Sequence, residues 1–73
     1  MKLTTKKATV QVWEALTPTE RVICNAYFLM SNPQTELEDA DWALRFNTCL
    51  AASDFPMKKH LEELILKYEV DNP

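Results

Sequence analysis

The chain of 73 residues contains no glycine. Glycine supplies the positive-φ conformations that two-residue hairpins, phosphate-cradling loops and dinucleotide-binding turns require, and other residues enter them at a steric cost. A chain without it is steered away from hairpin-rich sheets and from nucleotide-cofactor motifs. What remains is a set of helices joined by connections that proline, threonine, serine, asparagine and aspartate can build.

Those residues stand at regular intervals. Thr17-Pro18-Thr19-Glu20 offers a capping threonine, a proline at the first helical position and a glutamate three residues after the cap, so a helix is predicted over 18–31, ended by Asn32-Pro33. Thr35-Glu36-Leu37-Glu38 repeats the pattern with acids in the first turn, where the helix dipole favours them, and predicts a second helix over 36–51. Ser53-Asp54-Phe55-Pro56 breaks that helix and opens a third over 55–69.

Upstream, Val10 and Val12 alternate as in a strand while Ala8, Val12, Ala15 and Leu16 share one helical face. The helix is the better reading, because a lone strand leaves an unpaired edge. The expected architecture is all-α, a compact bundle of the helices 18–31, 36–51 and 55–69 plus a short N-terminal helix or extended segment, in one domain over residues 1–73. Residues 1–7, basic and polar, read as a flexible arm.

Eight basic against eleven acidic residues give a net charge of −3, the wrong sign for bulk attraction to phosphate. The charge is uneven, with a basic end at Lys2, Lys6 and Lys7 and an acidic middle at Glu36, Glu38, Asp39 and Asp41. The longest apolar run, Ala26 to Met30, is far short of a membrane span, and no signal-peptide core follows the N-terminus. A cytoplasmic protein away from membranes is expected.

The single histidine and two distant cysteines form no zinc set, and the acids of residues 36–41 lack the glycine and spacing of a calcium loop. Cys24 and Cys49 each lie inside an apolar helical pattern and read as small buried hydrophobes. Either could act as a nucleophile only with His60, and no motif places a further acid or base beside such a pair. The expectation is a non-enzyme with no cofactor, metal or small-molecule substrate.

The apolar residues are more informative. In the third predicted helix Met57, Leu61, Leu64, Ile65 and Tyr68 form one stripe, and Leu66 alone projects to the charged side. The first helix is apolar around most of its circumference, through Val22, Ile23, Ala26, Tyr27, Leu29 and Met30, with Phe28 on the far side. The second divides into a Leu37, Ala40, Leu44, Ala51 stripe and a Trp42, Ala43, Phe46, Cys49, Leu50 stripe. Helices apolar on two sides ask for cover on two sides, so a protein partner or a second copy is expected, with Tyr27, Phe28, Trp42, Phe46 and Leu66 as interface candidates.

Lys58, Lys59 and His60 stand in the first turn of the third helix, where positive charge opposes the dipole. They are candidates to hold an anion or DNA, unless Lys58 with Glu62 and Lys59 with Glu63 form ordinary surface pairs. The segment from Phe46-Asn47-Thr48-Cys49 through Asp54-Phe55-Pro56-Met57-Lys58-Lys59-His60-Leu61 to Val70 resembles the helix-turn-helix of LuxR/GerE-type transcription regulators, and Leu16-Thr17-Pro18-Thr19-Glu20-Arg21 is similar to the way such domains begin. Asn47 stands where that pattern prefers alanine, and Ala51 where it places a turn glycine. The resemblance implies a recognition helix whose Lys58, Lys59 and Glu62 face DNA. Net charge opposes that reading, and the function expected first is a small regulatory or inhibitory protein acting through an apolar helical face, as a homodimer or on another protein.

Overall fold

Threonine and aspartate side chains start the first three α-helices. The computed structural model describes residues 3–71, which form α1 (Lys6–Ala15), α2 (Pro18–Ser31), a 3-10 turn (Leu37–Asp39), α3 (Trp42–Ala51) and α4 (Lys58–Asp71). The Thr5 hydroxyl accepts from the Ala8 amide at the head of α1, and Thr17 and Glu20 close the expected capping box on α2. No described residue has a positive φ. Where a glycine would turn a helix end into the left-handed region, Leu16 and Ala52 continue as extended backbone, so α1 and α2 are joined by only Leu16 and Thr17.

The all-α architecture stands, with four α-helices among the described residues; residues 8–16 belong to α1, which begins at Lys6 and ends at Ala15, and to its extended cap Leu16. The helices pair off, α1 packing mainly on α4 and α2 mainly on α3. Val12 and Leu16 from the α1 side, Cys24 and Phe28 from α2, Phe46 and Cys49 from α3, and Leu61 and Ile65 from α4 meet in one core. The stripe expected on the last helix is confirmed, with Met57, Leu64 and Tyr68 packed half-buried at its margin.

Two expectations are corrected. The helix expected over 36–51 is broken, because Ala40 and Asp41 are extended and Asp41, not Thr35, caps the helix that comes next by accepting from the Leu44 amide at 2.8 Å. Glu36, preceding the 3-10 turn, makes no side-chain cap. Arg45 holds the break open: its Nε donates to the Ala40 carbonyl (2.9 Å), Nη2 to the Leu37 carbonyl (2.6 Å) and Nη1 to Asn25 Oδ1 (3.1 Å) on α2. Those carbonyls would otherwise accept the amides of a continuing helix.

The basic arm is the second correction. Leu3 is buried in the core, and Asn47 grips its backbone from both sides, Oδ1 accepting from Leu3 N at 2.8 Å and Nδ2 donating to Leu3 O at 3.0 Å. The Glu69 carboxylate accepts from the amides of Thr4 and Thr5. Residues 3–5 thus tie the start of the chain to α3 and α4, and Lys6 and Lys7 already belong to α1; Met1 and Lys2 lie outside the described residues.

Four side chains outside this core line up across the molecule. The Arg21 guanidinium lies 3.7 Å from the centre of the Trp13 ring, Trp13 meets Trp42 edge-on at 6.2 Å, and Arg45 lies 4.4 Å from the centre of Trp42. Arg21 Nε also donates to the Trp13 carbonyl at 2.9 Å. Cation–π contacts of this kind contribute about 0.5–1 kcal/mol each at partly exposed sites.

Two stability measurements check these contacts. Arg45→Lys keeps the charge but loses the planar fork, and is expected to destabilise the fold by about 2 kcal/mol in urea titrations, nearly as much as Arg45→Ala. The second concerns acid. The Thr4 and Thr5 amides lower the pKa of Glu69, and the Thr17 amide, aided by the Thr17 hydroxyl and His60, lowers that of Glu20 against the opposing effect of burial. Groups whose pKa is depressed in the folded state stabilise it above the unfolded value and lose that contribution as pH falls through the folded value. The melting temperature should therefore drop as pH falls below the usual glutamate value of about 4.3, and Glu69→Gln should melt lower at pH 7 with a shallower acid dependence.

Candidate protein-docking face

The core selects one side of α2, and what it leaves outside is apolar. Cys24 and Phe28, one turn apart, point inward and are buried, while Val22, Ala26 and Met30, also spaced by four, form the opposite face. Val22 is 65% and Met30 66% exposed, the two most exposed large apolar side chains described, and half-buried Ile23 and Leu29 flank them. The charged residues of α2, Glu20 and Arg21, are engaged elsewhere, Glu20 with Thr17 and His60 and Arg21 on Trp13. From Val22 to Gln34 the sequence carries no charge.

Asn25 and Arg21 fix this rotation. They stand one turn apart beside the buried stripe, where Asn25 receives the Arg45 hydrogen bond and Arg21 reaches back to the end of α1. Rotating α2 to bury Val22 and Met30 would break both.

Two clefts indent the surface away from this stripe. A cleft of about 480 Å³ runs between Ser31 and Asn32 at the end of α2 and Leu44, Thr48 and Ala51 on α3. Leu44, half of it exposed, is the large apolar side chain in this stretch. A second cleft, about 530 Å³, lies between residues 4–10 and the start of α3, where Asp41 is occupied in capping α3.

The interface candidates divide. Phe28 and Phe46 are corrected: at 1% and 0% exposed they are core residues, Phe28 facing inward from α2 and Phe46 packed 5.4 Å from Trp42. Tyr27 and Trp42 are half-buried, Tyr27 edge-on to Phe55 at 5.4 Å and Trp42 between Trp13 and Arg45. Leu66 is 54% exposed on α4, as the pattern requires. The exposed Val22 and Met30 are absent from the expected interface set, although their spacing and the uncharged stretch around them are both legible in the sequence.

The basic turn sits at the head of α4, Lys58 half-buried and Lys59 and His60 exposed. His60 Nε2 lies 3.3 Å from Glu20 Oε2 on α2, so an acid from a neighbouring helix offsets part of the unfavourable charge. Among the described residues Lys58 and Lys59 form no ion pair with Glu62 or Glu63.

The cysteines are buried in the core, whereas His60 stands exposed at the surface. Cys49 Sγ donates to the Cys24 carbonyl at 3.2 Å, both thiols are free and buried, and the hydrogen bond with Cys49 together with burial pushes the Cys24 thiol up, away from the thiolate form. Among the described residues no group of three or more His, Cys, Asp and Glu side chains could hold a metal ion, and no helix is long and apolar enough to cross a membrane. No family model, curated protein or solved structure matches this chain.

Proposed function

We propose that this chain is a non-enzymatic regulatory or inhibitory protein that acts by docking the outward face of α2 on a protein surface. One observation carries the reading: Val22 and Met30 stand two-thirds exposed, with exposed Ala26 between them, on a helix whose charged residues are turned away. Exposed apolar side chains are common singly, whereas a contiguous stripe of them on one helix is the helix-in-groove mode of recognition. The fold makes little use of these side chains, and exposed positions of this kind tolerate substitution within about 0.5 kcal/mol.

The test is a photo-crosslinking amino acid placed at Met30 and, as a control, at Glu63 on α4, in cells of the native host. Position 30 is expected to give adducts of discrete mass that disappear when Ala26→Glu is added, with the circular dichroism and melting of the purified variant unchanged. No adduct from position 30, or the same adducts from both positions, would overturn the reading.

A second reading, DNA binding through α4, is favoured by Lys58 and Lys59, which are without ion pairs among the described residues at a helix N-terminus. It requires salt-sensitive duplex binding that Lys58→Glu with Lys59→Glu removes, and a wild-type chain that leaves duplex DNA unshifted at low salt eliminates it.

A further inference from the structure

The docking reading leaves the occupant of the α2 face open, and the occupant assigned here rests on that reading. We infer that it is a second copy of this chain, packed α2 against α2 in antiparallel fashion about a two-fold axis that passes beside Ala26.

The first argument is the order of sizes along the stripe. A two-fold axis places the middle residue opposite itself and each end residue opposite the other end. Here the middle residue is the small Ala26, which lets the two backbones approach, and the ends are Val22 and Met30, so the smaller β-branched side chain of one copy meets the longer, flexible one of the other. Residues at this spacing form the i±4 ridge that interdigitates with its like in the commonest class of helix crossing, at about −50°.

Charge gives the second argument. A partner of opposite charge would find nothing on this face to recognise, since the stripe and the residues to Gln34 carry no charge and Glu20 and Arg21 are occupied. A second copy presents an equally neutral surface and brings no like charges together at the axis. The antiparallel arrangement also sets the positive end of each helix dipole beside the negative end of the other.

Area sets the strength. The stripe with its flanking Ile23 and Leu29 offers on the order of 400 Å² per copy, about half of what each side of a standard interface contributes. The expected dimer is therefore reversible and exchanges with monomer at micromolar concentrations, rather than obligate.

Sedimentation of the purified chain over a concentration series tests this directly. The average mass is expected to rise from monomer to dimer and stop there. Ala26→Glu should weaken the dimer at least about tenfold. Ala26→Leu discriminates further: a bulky side chain at the crossing should also weaken a close helix pair, whereas nonspecific adhesion would strengthen with added apolar area. Mixing Val22→Cys with Met30→Cys under diamide should give a crosslinked dimer faster than either variant alone, since Cys24 and Cys49 are buried and do not compete. A chain that stays monomeric throughout, or a dimer unaffected by both Ala26 substitutions, overturns the second-copy assignment. In the first case, host adducts from Met30 carrying the mass of a different protein would leave the docking reading standing, and their absence would remove it as well.

Discussion

The Arg45 guanidinium is the interaction on which the arrangement of the helices depends. With its hydrogen bonds to Leu37, Ala40 and Asn25 it ends the 3-10 turn, allows α3 to begin at Trp42 and fixes α2 relative to α3. Its contact with Trp42 continues through Trp13 to Arg21, so one line of four side chains joins α1, α2 and α3. A chain of this size buries a modest fraction of its surface, and charged hydrogen bonds to backbone carbonyls at the core's edge supply order that apolar burial alone would not.

The same residue explains which parts of the fold could be read from sequence. Local chemistry was sufficient where one cap had no competitor: Thr17-Pro18-Thr19-Glu20 starts α2 and Asn32 ends it, as their capping chemistry dictates. Between residues 35 and 41 two caps compete, Thr35 with its acids and Asp41, and each is locally acceptable. The choice is made by Arg45 reaching Asn25, twenty positions away, which no local pattern encodes. Residues 3–7 depart from expectation for a related reason. Their composition is that of a solvated arm, but Leu3 is captured by Asn47 and by the core, and Thr4 and Thr5 by Glu69, over separations of 44 residues and more.

Asn47 and the basic turn of α4 show how tertiary contacts complete what looks irregular locally. Asn47, a departure from the helix-turn-helix pattern, is the side chain that satisfies both backbone groups of Leu3. At the head of α4, His60 is met by Glu20 from the head of α2, so that a carboxylate whose pKa is lowered chiefly by the Thr17 amide also serves the neighbouring helix. Lys58 and Lys59 receive no such help among the described residues, and the unfavourable charge at this helix start is only partly offset.

The rotation of α2 was the least readable element, and it decides which apolar side chains stay exposed. With apolar residues on nearly every side, the helix could bury Cys24 and Phe28 or Val22, Ala26 and Met30, and hydrophobicity does not separate the two. The polar neighbours decide it. Arg21 and Asn25 reach Trp13 and Arg45 with Cys24 and Phe28 facing inward, and those hydrogen bonds add to the burial of Phe28 in favouring this rotation. The apolar face is thus turned outward by hydrogen bonds made on the other side of the helix. Because those bonds do not involve Val22, Ala26 or Met30, they place no demand on the composition of that face, and the fold leaves an apolar stripe exposed there.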